Sequence, residues 1–253
     1  MESPSNMLDL LDARTGIVCA VGAGGKKSLL RHLALSHPGR VAITATVFTT
    51  YFQENIGFAV AIDEDERLLA AVSELDPESS VAYACPGDKP GRRAGASAAT
   101  IEQIHRDRGF AATYVKADGA RMRLVKAPAD EEPALPPGCT TVLPVVSALA
   151  IGEPLTARIA HRVERIEQVA GLRENERIDP VHIARLLASP AGLLKATEGR
   201  RVVPVINMVD DAAREAQARE AAAMALELTD RFDLVVLVCL SGRDEPLVRV
   251  VRR

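Results

Sequence analysis

Seven residues, Gly22-Ala23-Gly24-Gly25-Lys26-Lys27-Ser28, concentrate the chemistry of this chain. They follow an apolar run at 17–21 that reads as a buried strand. They precede residues 29–35, whose apolar side chains recur at helical spacing. Strand, glycine turn, lysine and helix form the context of a phosphate-binding loop. Glycines let backbone N–H groups approach an anion with no Cβ in the way. A helix starting near Lys26 points the positive end of its dipole at the same place. Lys26 adds a mobile charge for the outer phosphates. Gly22, Gly24, Gly25, Lys26, Lys27 and Ser28 are the expected phosphate-binding residues.

The usual pattern, G-x-x-x-x-G-K-[ST], is met only in part. Ala20 stands at the first glycine and Lys27 where the Mg²⁺-ligating hydroxyl belongs. Ser28 comes one residue later, and a helix turns about 100° per residue, so it does not simply substitute. The plainer reading is a glycine-rich turn with an exposed lysine pair.

Four further places could serve a phosphate. Thr46 lies at the end of a strand-like run at 41–46, where parallel sheets gather their ligands. Thr also favours strands for its own conformational reasons, and that reading stands beside the first. Asp118 ends the run at 114–118 and is followed by Gly119, a position from which a carboxylate organises Mg²⁺ or water. An Asp-Gly turn at a strand end is the alternative. Arg121, Arg123 and Lys126 form a basic cluster suited to an anionic substrate, or to surface pairing with Asp130, Glu131 and Glu132. Asn207-Met208-Val209-Asp210 partly matches the base-reading N-K-x-D element, with Met208 in place of the lysine. Asn207 and Asp210 could face a base, or could cap the following turn and helix.

The elements needed to position these residues are visible. Strands are expected at 16–21, 41–46, 81–85, 114–118, 141–146, 201–207 and 234–240. Helices are expected at Lys26–Ser36, 63–75, 100–108, 155–170, 180–188 and Ala212–Leu228. A breaker-rich, charged loop fills 86–95. Pro144 limits its strand to an edge or bulge position. Alternating strands and helices imply a mostly parallel sheet with right-handed crossovers. The expected fold is α/β, a three-layer P-loop-NTPase-like sheet forming one domain over 1–253, with a helical insertion at 154–190. Its histidines, His161 and His182, read as surface or satisfied groups.

Composition narrows the function classes. Charged residues make up 26% and apolar residues 47%, which is ordinary for a globular protein. Aromatics are 3% and Trp is absent, which argues against base-stacking nucleic-acid surfaces. A net charge of −3 gives no general attraction to nucleic acid or anionic membrane. Cys19, Cys85, Cys139 and Cys239 are far apart and form no C-x-x-C, which fits a reducing, cytoplasmic setting. Residues 1–11 lack the pattern of a signal peptide, and no apolar run is long enough for a membrane span.

With these segments in order, the chain resembles the YqeC family of selenium-cofactor biosynthesis or selenium-dependent hydroxylase accessory proteins. The resemblance rests on the run 21–26, on Ile43-Thr44-Ala45-Thr46, and on Ala117-Asp118-Gly119-Ala120. It continues through 124–129 with Glu132-Pro133, the His161-Arg162 pair, and Asn207-Met208-Val209-Asp210. It implies a nucleotide-binding α/β protein using a nucleoside triphosphate (ATP or GTP), with Mg²⁺. It also implies a nucleotide or pterin-type cofactor as partner and a molybdenum hydroxylase as client. In that reading Lys26 and Asp118 are the catalytic pair. Lys27, Lys116 and Met208 depart from the family pattern, each at a residue that would touch Mg²⁺ or base. Two alternatives therefore stand: a non-hydrolysing binding or chaperone protein with a degenerate loop, and a small-molecule kinase.

Overall fold

The computed structural model describes residues 7–50, 57–88, 91–241 and 246–253; residues 89 and 90 of the loop at 86–95 lie outside this set. The chain forms two compact units. One comprises 1–20, 29–119 and 134–141, and the other 21–28, 120–133 and 142–253.

The first unit opens with a short helix, α1 (Met7–Leu10), and strand β1 (Gly16–Gly22). Then come α2 (Lys26–Ser36), β2 (Val41–Ala45), β3 (Thr49–Thr50), β4 (Ala59–Ile62) and α3 (Asp65–Ser73). The series closes with β5 (Val81–Pro86), β6 (Arg92–Ala94), α4 (Ala98–Arg108) and β7 (Ala112–Lys116). β7 lies parallel between β1 and β2, and β2 and β4 each pair parallel with β5. β6 pairs antiparallel with both β5 and β3. β2 and β7 are buried at every position, as continuous apolar runs covered on both faces must be. α2 buries Leu29, Leu30, Leu33 and Ala34 on one stripe. α4 begins at Ser97, whose hydroxyl accepts from the Thr100 amide at 3.1 Å, and ends at the left-handed Gly109.

The second unit contains β8 (Val125–Lys126), β9 (Cys139–Ser147), β10 (Ala160–His161), α5 (Val163–Ala170) and α6 (Pro180–Ala188). It continues with β11 (Arg201–Val202), β12 (Val205–Asn207), α7 (Ala212–Leu228), β13 (Leu234–Val238) and β14 (Leu247–Arg252). β9, β12 and β13 are parallel neighbours, and β14 adds an antiparallel edge. β8 and β10 form a separate parallel pair. α7 buries Ala218, Ala221, Ala222 and Ala225, and this small-residue stripe packs on α6. Leu155, Ile183, Leu187, Phe232 and Val235 share the same core.

The α/β class and mostly parallel strands match the expectation and are compatible with a three-layer arrangement. Three local expectations change. Residues 155–161 form turns and β10, so the helix expected from 155 begins only at Val163. The strand expected at 201–207 is interrupted at Pro204, which has no N–H to pair, leaving β11 and β12. Pro144 does not sit at an edge. Its neighbour Val145 registers with Val205 on β12 and accepts from the Ala23 amide at 2.8 Å.

Candidate functional site: a glycine loop and a basic cleft

The loop at 21–28 belongs to the second unit. Gly22, Gly24 and Gly25 adopt φ of 90°, 84° and 115°, values that L side chains rarely tolerate. Space demands glycine as well. A Cβ on Gly22 would strike the Val145 carbonyl, one on Gly24 would lie 2.5 Å from the Ser147 nitrogen, and one on Gly25 would strike Asn207 Nδ2. The loop is thus pressed onto the carboxyl ends of β9 and β12.

Hydrogen bonds then occupy two of the loop amides. The Ala23 amide donates to the Val145 carbonyl at 2.8 Å, and the Gly24 amide to the Arg123 carbonyl at 3.1 Å. Asn207 Nδ2 donates to the Gly24 carbonyl at 2.8 Å. The Gly25 amide has no acceptor among the described residues. Lys26 is buried, and its ammonium donates to the Gly22 carbonyl. Lys27 is half-buried, and burial lowers its pKa. Ser28 is exposed on α2.

Asn207 is 3% exposed and its Oδ1 is buried without a hydrogen-bond partner. Met208, at φ 61°, takes a hydrogen bond on its sulfur from Ser147 Oγ at 3.0 Å. Asp210 is exposed and accepts from Cys239 Sγ at 3.1 Å. Asn207 braces the loop, while Asp210 lies at the surface.

In the same unit, Arg121, Arg123, His161 and Arg162 line an open cleft of about 600 Å³, together with Glu164, Glu167 and Glu174. Arg121, Met122 and Arg162 all have positive φ, at 47°, 60° and 66°. Non-glycine residues in this region carry strain of order 1–3 kcal/mol each, and such strain gathers at binding sites. Lys126 does not line the cleft. It is fully buried, and its ammonium donates to Glu132 Oε2 at 2.6 Å. The same oxygen takes Arg162 Nη1 at 2.8 Å and the Ala129 amide at 3.2 Å.

These contacts set two titrations. Burial opposes ionisation of Glu132, but the Lys126 hydrogen bond and charge, the Ala129 amide and the Arg162 charge outweigh it, bringing its pKa down to about 2. His161 is pulled down to about 4 by burial and then by Arg162, Lys126 and Arg121, against Glu132. The arginines of the cleft therefore stand beside an imidazole held below its usual pKa.

Thr46 and Asp118 belong to the first unit. The Thr46 amide donates to the Lys116 carbonyl at 3.1 Å, just past the β2–β7 register pair Ala45–Lys116. Thr46 Oγ1 is buried without a partner. Asp118 is 1% exposed beyond the end of β7. Lys116 donates to the Phe48 carbonyl at 2.9 Å, so this cation is anchored to backbone.

A family model described as YqeC protein matches residues 18–164. The chain belongs to the YqeC family. It is also 28% identical over 198 residues to a protein described as "Uncharacterized protein YqeC" from Escherichia coli (strain K12), covering 77% of this chain and 76% of that protein. The YqeC match spans the glycine loop, Asp118, Arg121, Arg123, Lys126, Glu132 and the His161-Arg162 pair.

Sequence reasoning left two members of the YqeC cleft region without a role. His161 read as an ordinary surface histidine, and Glu132 as one of three surface acids. Glu132 precedes Pro133, and His161 precedes Arg162, in segments that the family resemblance also picks out. Parallel pairing of β8 and β10, with His161 in register with Lys126, brings these segments together.

Proposed function

We propose that the chain binds the phosphates of a nucleoside triphosphate, ATP or GTP, at Gly25 and Lys26. We further propose that it serves as an accessory protein in maturing a selenium- and molybdenum-dependent hydroxylase. The observation that carries the binding reading is the Gly25 amide, which lacks an acceptor beside the buried Lys26 at the start of α2. Membership of the YqeC family supports the accessory role.

The residues present fit a polyphosphate. Gly25 offers an amide, Lys26 a charge, and Asn207 Oδ1 a buried acceptor for a donor on the ligand. A bound triphosphate would supply a phosphoryl or nucleotidyl group. The loop fits Mg²⁺ less well, because Lys27 supplies no oxygen ligand beside Lys26. Among the described residues, no group of three or more His, Cys, Asp or Glu is placed to hold a metal ion. Asp118 is the carboxylate that this reading assigns to Mg²⁺ or water. Arg121 and Arg123 are assigned to an anionic substrate or pterin-type cofactor.

Titration of ATP, GTP and a molybdopterin nucleotide, each with and without Mg²⁺, tests the reading. Lys26→Ala should weaken nucleotide binding at least about tenfold, the scale of one charge-assisted hydrogen bond. Unaltered affinity in that variant would remove the loop from the site. The second reading, a binding or chaperone protein that does not hydrolyse its ligand, is favoured by Lys27 at the hydroxyl position. Nucleotide binding without turnover in the presence of Mg²⁺ selects it.

A further inference from the structure

The cleft at Arg121, Arg123 and His161 has a chemistry of its own. At about 600 Å³ it falls within the range that holds a small organic ligand, and it is far larger than a bare ion needs. Its cations are not equivalent. Arg162 shares the Glu132 carboxylate with the buried Lys126. Arg121 and Arg123 form no ion pair among the described residues. The turn that presents them is closed by the Arg123 amide donating to the Ala120 carbonyl at 2.9 Å, with Arg121 and Met122 held at positive φ. Arg123 Nη1 reaches the Arg121 carbonyl at 3.4 Å, which steadies the second guanidinium without cancelling its charge.

We propose that this cleft binds a phosphorylated small molecule, with its phosphate seated on the guanidinium groups of Arg121 and Arg123 beside His161. The proposal rests on the reading of Arg121 and Arg123 as anion-binding residues and is independent of what the glycine loop holds. Two planar guanidinium forks and an imidazole N–H match the several terminal oxygens of a phosphate better than they match a single carboxylate. Glu164, Glu167 and Glu174 also line the cleft, and Glu167 Oε1 accepts the Glu174 amide at 2.8 Å. Their charge confines the anionic end of the ligand to the arginine side and leaves the body of the ligand beside acceptors. Burial first, and then Arg162, Lys126 and Arg121 against Glu132 alone, hold the His161 pKa below its usual value. A bound phosphate offsets those cations and lets His161 take up a proton.

The test uses phenyl phosphate as probe, on the full chain carrying Lys26→Ala so that the loop cannot hold the phosphate through its lysine. Saturable binding should persist in Lys26→Ala and weaken at least about tenfold in Arg121→Ala/Arg123→Ala, the equivalent of about 1.4 kcal/mol. Circular dichroism of the double variant should match that of the parent, since the changed side chains lie at the surface. The His161 ring resonance, assigned by its loss in His161→Gln, should titrate at higher pH when phenyl phosphate is bound. Unaltered affinity in the double arginine variant, loss of binding in Lys26→Ala, absence of saturable binding, or an unmoved His161 titration would each overturn the proposal. ATP affinity that is insensitive to Lys26→Ala, with phenyl phosphate still dependent on Arg121 and Arg123, removes the loop reading and leaves this one standing.

Discussion

The Gly24 amide donates to the carbonyl of Arg123 across 3.1 Å, so the glycine loop and the turn that carries the cleft arginines share a hydrogen bond. A phosphate that claims the Gly24 amide must displace Arg123. A phosphate that uses only the Gly25 amide and Lys26 leaves it in place.

The first prediction follows. Saturating ATP should leave amide exchange over residues 120–124 unaltered, because phosphates held at the Gly25 amide and Lys26 keep the Arg123 carbonyl on the Gly24 amide, whereas raised exchange would mean that they take the Gly24 amide instead. Hydrogen exchange read by mass spectrometry decides it. Unaltered exchange there means that the Gly24 amide stays on Arg123. Gly24→Ala should destabilise the fold by about 2 kcal/mol or more in urea unfolding, since φ of 84° and a 2.5 Å approach to Ser147 both oppose a Cβ.

Glu132 is the counter-ion of a fully buried ammonium. Glu132→Gln should cost about 3 kcal/mol, because a fully buried ammonium then loses the carboxylate that offsets its charge. Lys126→Met should cost less, since Glu132 keeps Arg162 and the Ala129 amide. The acid limb carries the same signature. The folded carboxyl titrates near 2 against an ordinary 4.5, so its stabilisation is whole above about pH 4.5 and is lost as pH falls toward 2. Denaturant midpoints across that range should fall less steeply in Glu132→Gln than in the parent.

The glycine loop was legible because its signal is local: a buried strand, three glycines, a lysine and a helix stripe lie within residues 17–35. The long strands were legible for the same reason. β4, β6 and β14 were not, because each is short or only partly buried and depends on its partner strand. The roles of Glu132 and His161 were hidden for a stronger reason. Glu132 meets Arg162 thirty residues away, and His161 reaches Lys126 only through the pairing of β8 with β10. Nothing in either residue's own neighbourhood says that it is buried beside opposite or like charge. Asn207 does end its strand, but its bond to the Gly24 carbonyl spans 183 positions and belongs to the fold.

His161 gives a second, separable pH effect. The unfolded chain protonates this imidazole near 6.5, whereas the folded chain resists until about 4. The unfolded state therefore binds more protons in between, and stability should decline as pH falls from about 6.5 toward 4. His161→Gln should flatten this part of the profile while leaving the Glu132 limb in place. An unchanged slope between pH 6.5 and 4 would mean that other groups carry it.

Lys27 is the change in the loop with the clearest chemical consequence. It puts a half-buried ammonium, whose pKa burial lowers, where a hydroxyl would face Mg²⁺. Lys27→Thr should therefore confer Mg²⁺ dependence on ATP binding, with affinity in Mg²⁺ at least about tenfold above that in chelator, the scale of one ligand to the metal–phosphate complex. The parent should show a smaller difference, because Lys27 already offsets phosphate charge. Parallel titrations with Mg²⁺ and with chelator measure both. Equal Mg²⁺ dependence in parent and variant would show that position 27 does not face the phosphates. The loop would then be a structural turn braced by Asn207.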